Sequence, residues 1–267
     1  MKILITESQF KKILQEELGI SDEIAKKTNE FFDILKKDIS ENMEIFEKEK
    51  FFSSYNGYLK YDLLGINVGI SYKVINYYTK EYYDKFGVEA EGWSSFDKRY
   101  CVIGLFIPCV SGTIIKTEVM DTIQHEFEHI YQQYLIGGNF PDSSVYSKVI
   151  TNMSDNNDFI SKVAKLVYGC TKNEQDGYIN GMYAYVMALP EVFTYDNLKK
   201  TPCYKIYNEI VDIYNELSDN ENFEKELKKY NLTKNLILKN INNFGRKIAR
   251  TYAKIQKDKI IKQGFRF

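Results

Sequence analysis

The stretch Thr117–Leu135 reads TEVMDTIQHEFEHIYQQYL, and at its centre stands HEFEH, His125-Glu126-Phe127-Glu128-His129. Ile123, Phe127, Ile130 and Tyr134 recur at helical spacing, so the stretch predicts one helix, stopped by Gly137-Gly138. Residues four apart share a helical face, so His125 and His129 project together, almost opposite that apolar stripe. The helix is expected to rest on a sheet with one side and to turn its histidines to a cleft with another. Two neutral imidazoles at this spacing suit one zinc ion. Glu126 lies beside the pair, where a carboxylate can take the proton of a metal-activated water as it attacks a carbonyl. The chain holds only 2 histidines in 267 residues, and both are here. The plainer reading is a helix with two surface histidines.

On these five residues the chain resembles the zincin superfamily of zinc metallopeptidases. The resemblance implies an α+β, zincin-like fold, with a small β-sheet packed on the HExxH helix and further helices on the N- and C-terminal sides. It also implies a zinc-dependent peptidase, with zinc (Zn2+) on His125 and His129 and Glu126 as general base.

A catalytic zinc usually has three protein ligands and one open position. No third histidine exists, which excludes the metzincin pattern and leaves a carboxylate or a cysteine. In gluzincins the third ligand is a glutamate on a downstream helix, and the resemblance carries that role to Glu174, in NEQDGYINGMYAY. Glu174, Tyr178, Gly181 and Tyr185 fall on one helical face, and Gly181 would let two helices approach closely. Asn173-Glu174 matches the family's element, but Asp176 follows at a different distance. Thr171 and Glu174 also form a capping-box pattern, which by itself explains the glutamate. Glu191, Asp176 and Cys170 are the rival third ligands. Asp121, one turn before His125, is either a carboxylate that orients that imidazole or an ordinary first-turn acid. Tyr178 and Tyr185 are candidate donors to a developing oxyanion, against a background of 22 tyrosines.

Outward from the motif, Tyr100–Pro108 (YCVIGLFIP) is a continuous apolar run and predicts a buried strand. Tyr58–Tyr78 predicts two strands, preceded by an Asn56-Gly57 turn signal. Tyr82–Lys98, with the only tryptophan, Trp93, reads as a polar connection. Ser21–Lys50 predicts a helix with Ile24, Phe31, Ile34, Leu35, Ile39, Ile45 and Phe46 as its apolar positions. Beyond Pro141 comes a polar loop, then helices over Asp155–Tyr168, Thr171–Leu189, Glu191–Leu217 and Thr233–Gln263. We divide the chain into a helical segment 1–50, a catalytic domain 51–217 and an amphipathic helical segment 218–267. At the start, Thr6-Glu7-Ser8-Gln9 is a capping box before an amphipathic helix with Phe10, Ile13, Leu14 and Leu18. This opening resembles that of many uncharacterised phage-type proteins.

Composition narrows the function classes. Net charge is −1 with the basic residues dispersed, which gives no electrostatic argument for nucleic acid or an anionic membrane. No run of about 18 apolar residues predicts a membrane span, and the first residues lack the apolar core of a signal peptide. The 4 cysteines form no close pair and suggest a reducing compartment. The expected setting is cytoplasmic, or virion-associated if phage-encoded, with a peptide or protein substrate. The alternative function is a zinc-stabilised structural or phage-associated protein without catalysis.

Overall fold

The computed structural model describes residues 22–42, 52–97, 100–135, 143–190 and 193–262. The phage-like opening, Ile45 and Phe46, and Glu191 lie outside them. The chain is mixed α/β, with ten helices and a small open sheet among the described residues.

Strand β1 (Phe52–Leu63) and strand β2 (Ile66–Tyr77) form an antiparallel hairpin. A short helix α2 (Lys80–Phe86) follows, then strand β3 (Glu91–Asp97), strand β4 (Tyr100–Val110) and the short β5 (Thr113–Ile114). The sheet order is β1-β2-β4-β3, with β5 on β4. β4 pairs in parallel with β2, placing Ile103 beside Ile70, and antiparallel with β3, placing Gly104 beside Trp93. The apolar run 100–108 is thus a central strand, flanked on both sides. The stretch expected to be a polar connection, Tyr82–Lys98, instead supplies most of α2 and all of the edge strand β3.

The hairpin turn lies at Leu64-Gly65, whose φ angles are 55° and 86°, and not at Asn56-Gly57. Gly57 sits inside β1 opposite Tyr72, and a Cβ on it would lie 2.1 Å from that ring. Glycine is needed there so that the Tyr72 ring can cross the strand. The Asn-Gly pair looked like a turn, but cross-strand packing decided its place.

One face of the sheet is apolar. Val68, Ile70 and Val74 of β2 and Ile103, Leu105 and Ile107 of β4 are buried there. Helix α1 (Asp22–Asn42) and the motif helix α3 (Lys116–Leu135) cover this core. Rings from three elements meet: Phe127 lies 5.6 Å from both Phe31 of α1 and Tyr61 of β1. Ile123, Phe127 and Ile130 are buried as their spacing predicted, whereas Tyr134, past the sheet-covered part of the stripe, is exposed. In α1, Phe32 is buried and Ile34 is exposed, because the buried face centres between Ile24, Thr28, Leu35 and Ile39 and Ile34 lies roughly a third of a turn away from that centre.

The chain divides into two compact units, Met1–Gly138 with Asn180–Pro190, and Asn139–Ile179 with Glu191–Phe267. The second is helical: α4 (Ser143–Met153), α5 (Asp158–Gly169), α7 (Tyr195–Lys200), α8 (Pro202–Leu217), α9 (Phe223–Lys228) and α10 (Lys234–Lys262). Its interior includes Val163, Leu166, Ile210, Leu217, Phe223, Ile237 and Phe244. Helix α4 falls where a polar loop was expected. Helix α6 (Lys172–Ala188) is continuous and contributes residues to both units. No described helix is long and apolar enough to cross a membrane.

Candidate metal centre

The motif helix delivers its two histidines as the spacing dictates. His125 Nε2 and His129 Nε2 are 2.9 Å apart, with the rings nearly perpendicular. His129 is buried and His125 half-buried. Ligands about 2.0–2.1 Å from a zinc ion in a tetrahedral site stand roughly 3.3 Å from one another. The pair is therefore spaced much as one shared ion requires.

Helix α6 brings the third donor. Gly181 lies against Asp121 of α3, where a Cβ would sit 2.4 Å from Asp121 Oδ1 and 3.0 Å from its backbone oxygen. The absent side chain permits this close approach, as the sequence suggested. Two turns back along α6, Glu174 is on the same face as Gly181; one and two turns forward along α3 from Asp121 are His125 and His129. One ligand atom from each of His125, His129 and Glu174 falls within 4.8 Å of the others. Thr171 caps the helix through its side chain, accepting from Glu174 N at 3.4 Å. Thr171 N donates to Tyr168 O at 3.0 Å, the group that a reciprocal capping box would have offered to the Glu174 carboxylate. The backbone thus uses the capping pattern, and the Glu174 carboxylate is not spent on the reciprocal half of it.

The surroundings are acidic. Asp121, Glu126, Glu128 and Glu174 are all buried, and Glu126 Oε2 has no hydrogen-bond partner. Burying carboxylates is costly unless a cation or hydrogen bonds compensate. Two imidazoles, one carboxylate and an adjacent buried acid form a donor set suited to zinc, and the residues present fit that ion.

Of the rival ligands, the two described ones go elsewhere. Asp176 pairs with Lys247 of α10. Cys170 is not among the converging donors, and burial pushes its thiol up to about 12. Tyr178 packs near the Phe244 ring, 6.4 Å between centroids. The Tyr185 hydroxyl bonds Thr117 at the start of α3, two turns before His125; burial raises its phenol above the ordinary value. Three residues escaped the sequence reading: Glu118, Thr122 and Gly92. Thr122 donates to Ala90 O at 3.2 Å, and a Cβ on Gly92 would lie 2.8 Å from Glu126 Cγ. The only sequence signal for them was the four-residue spacing Glu118, Thr122, Glu126.

No known protein family, curated protein or solved structure matches this chain. The functional reading therefore rests on the chain's own residues.

Proposed function

We propose that the chain is a zinc-dependent hydrolase of gluzincin type that cleaves peptide bonds. The supporting observation is the convergence of His125, His129 and Glu174 beside the buried Glu126 carboxylate. A small sheet packed on the motif helix, with the glutamate on a downstream helix, also supports a zincin-like reading of the fold. The two imidazoles and the Glu174 carboxylate would hold the ion and leave one position open. Zinc bound there would supply a Lewis acid and acidify a water. Glu126 holds that water by a hydrogen bond and takes its proton as the water oxygen attacks the peptide carbonyl carbon. The same carboxyl then gives the proton to the leaving amine. The four cysteines, dispersed in sequence and buried, suit a reducing, cytoplasmic setting.

Metal analysis of the purified chain beside His129→Ala and Glu174→Gln tests the ligands. Stoichiometric zinc in wild type, lost in both variants, is expected. Hydrolysis of a quenched-fluorescent peptide library tests the chemistry: Glu126→Gln keeps zinc and fold, and kcat falls about 10²–10⁴-fold. A metal-free wild type, or Glu126→Gln with full activity, overturns the reading.

The deep burial of Glu126 and Glu174 favours one competing reading, in which zinc only ties α6 to α3. Under it Glu126→Gln is silent and chelation unfolds the chain.

A further inference from the structure

The segment before and into β3 is held along the motif helix by side chains spaced one turn apart. Ala90 N donates to Glu118 Oε2 at 3.3 Å, and the Thr122 hydroxyl shares its one proton between Ala90 O at 3.2 Å and Glu118 O of its own helix at 3.1 Å. Both backbone groups of Ala90 are thus engaged by α3. Two residues on, Gly92 presses its bare backbone against the next turn, where a Cβ would lie 2.7 Å from Thr122 Cγ2, 2.8 Å from Glu126 Cγ and 3.0 Å from Glu126 Oε1. Glu118 is itself fixed from α2: Tyr83 OH donates to both its carboxylate oxygens at 3.1 Å. Burial, and then the Glu118 charge, raise the Tyr83 phenol well above its ordinary value, so it remains a donor at any working pH.

We infer that Glu118 is a positioning residue for the proposed reaction: by gripping Ala90 it holds Gly92 against Glu126 and fixes the direction of that carboxylate. The inference rests on the proposed function, which makes Glu126 the general base. Glu126 lies on a helix face and has a flexible side chain with a buried oxygen that makes no hydrogen bond. Steric confinement by Gly92 is therefore what limits its rotamer. A side chain at residue 92 would displace Glu126, and release of Ala90 would let β3 withdraw from it. A general base displaced by about 1 Å loses up to roughly a hundredfold in rate while the ligands are untouched.

Zinc-loaded wild type, Glu118→Ala, Glu118→Gln and Gly92→Ala are compared on a quenched-fluorescent peptide library, with hydrogen exchange of the Ala90 amide followed on the same samples. For Glu118→Ala and Gly92→Ala, kcat should fall roughly tenfold to a hundredfold with KM nearly unchanged and zinc retained. In Glu118→Ala the Ala90 amide should exchange about tenfold faster or more. Glu118→Gln should recover most of the rate, because its amide oxygen still accepts from Ala90. If Glu118→Ala does not fold, Gly92→Ala, which keeps the Glu118 carboxylate that accepts from Ala90 N, carries the kcat test alone. Unchanged kcat in folded Glu118→Ala, or in Gly92→Ala where Glu118→Ala does not fold, overturns the positioning role while leaving the function standing. A wild type that neither binds zinc nor cleaves any peptide removes the function, and the positioning role with it.

Discussion

At the scale of the residue, the informative groups are those whose burial conflicts with their chemistry. Carboxylates are rarely buried, and Asp121, Glu126 and Glu128, on the helix that carries the two imidazoles, and Glu174 all are. The cysteines are the opposite case, being buried where their chemistry is silenced. Burial pushes the thiols of Cys109 and Cys170 up to about 12 and raises Cys101 as well. At pH 8 a thiol of that kind is ionised at only about one part in ten thousand. A maleimide or disulfide reagent at pH 8 is expected to leave all four cysteines of the folded chain unlabelled and to modify all four in denaturant. Rapid labelling of Cys170 in the native chain would contradict its buried position. The sign of the pH effect follows. A thiol whose folded pKa lies above its unfolded value favours the fold while neutral, so this stability is fully present below the ordinary thiol range of about 8.5 and is lost as pH rises towards 12. Urea midpoints measured from pH 8 to pH 11 should fall with pH.

At the scale of the element, the α3–α6 pair depends on one missing side chain. In Gly181→Ala the new Cβ meets Asp121, including its backbone oxygen, which has no means to swing aside. The helices must separate. A cost of about 1–3 kcal/mol is expected from thermal melts, together with weaker zinc binding, because the strain acts on the element that carries Glu174. A melt and a zinc titration indistinguishable from wild type would show that the contact is slack. The sequence foretold this glycine because helical periodicity places Gly181 and Glu174 on one face. It foretold the motif helix and the central strand β4 for similar reasons: their signals are local and continuous. What it concealed was non-local. Gly57 carries a turn signal, yet its role is set by a ring fifteen residues away on the next strand. β3 has too few apolar residues to declare itself, and is a strand because β4 offers it an edge and α3 holds Ala90. Within the candidate site, the pairing of His125 with His129 was legible from their spacing, while Glu174 was suggested by the resemblance and by the helical face it shares with Gly181. Glu118, Thr122 and Gly92 were not, since their significance lies in a strand that the sequence did not reveal.

At the scale of the whole molecule, the two units have separate cores, and a single continuous helix, α6, runs through both. The sheet has an order that differs from the order of the chain. β1 and β2 are joined by a tight turn and can pair as soon as both exist. β3 is made before β4, yet β4 is its only partner among the described residues. Each new chain therefore passes through a stage in which a completed hairpin and an unpaired β3 await the strand that goes between them. The indole of Trp93 lies over Gly104 of β4, and it is the only tryptophan. Its fluorescence is thus a clock for the arrival of β4. In refolding from denaturant, that signal should reach its native value later than the circular dichroism of the helices, which form from local contacts. Matching time courses would mean that β4 enters with everything else. A lag would mean that the molecule spends its slowest moment with its middle strand missing, open at the centre rather than frayed at the edge.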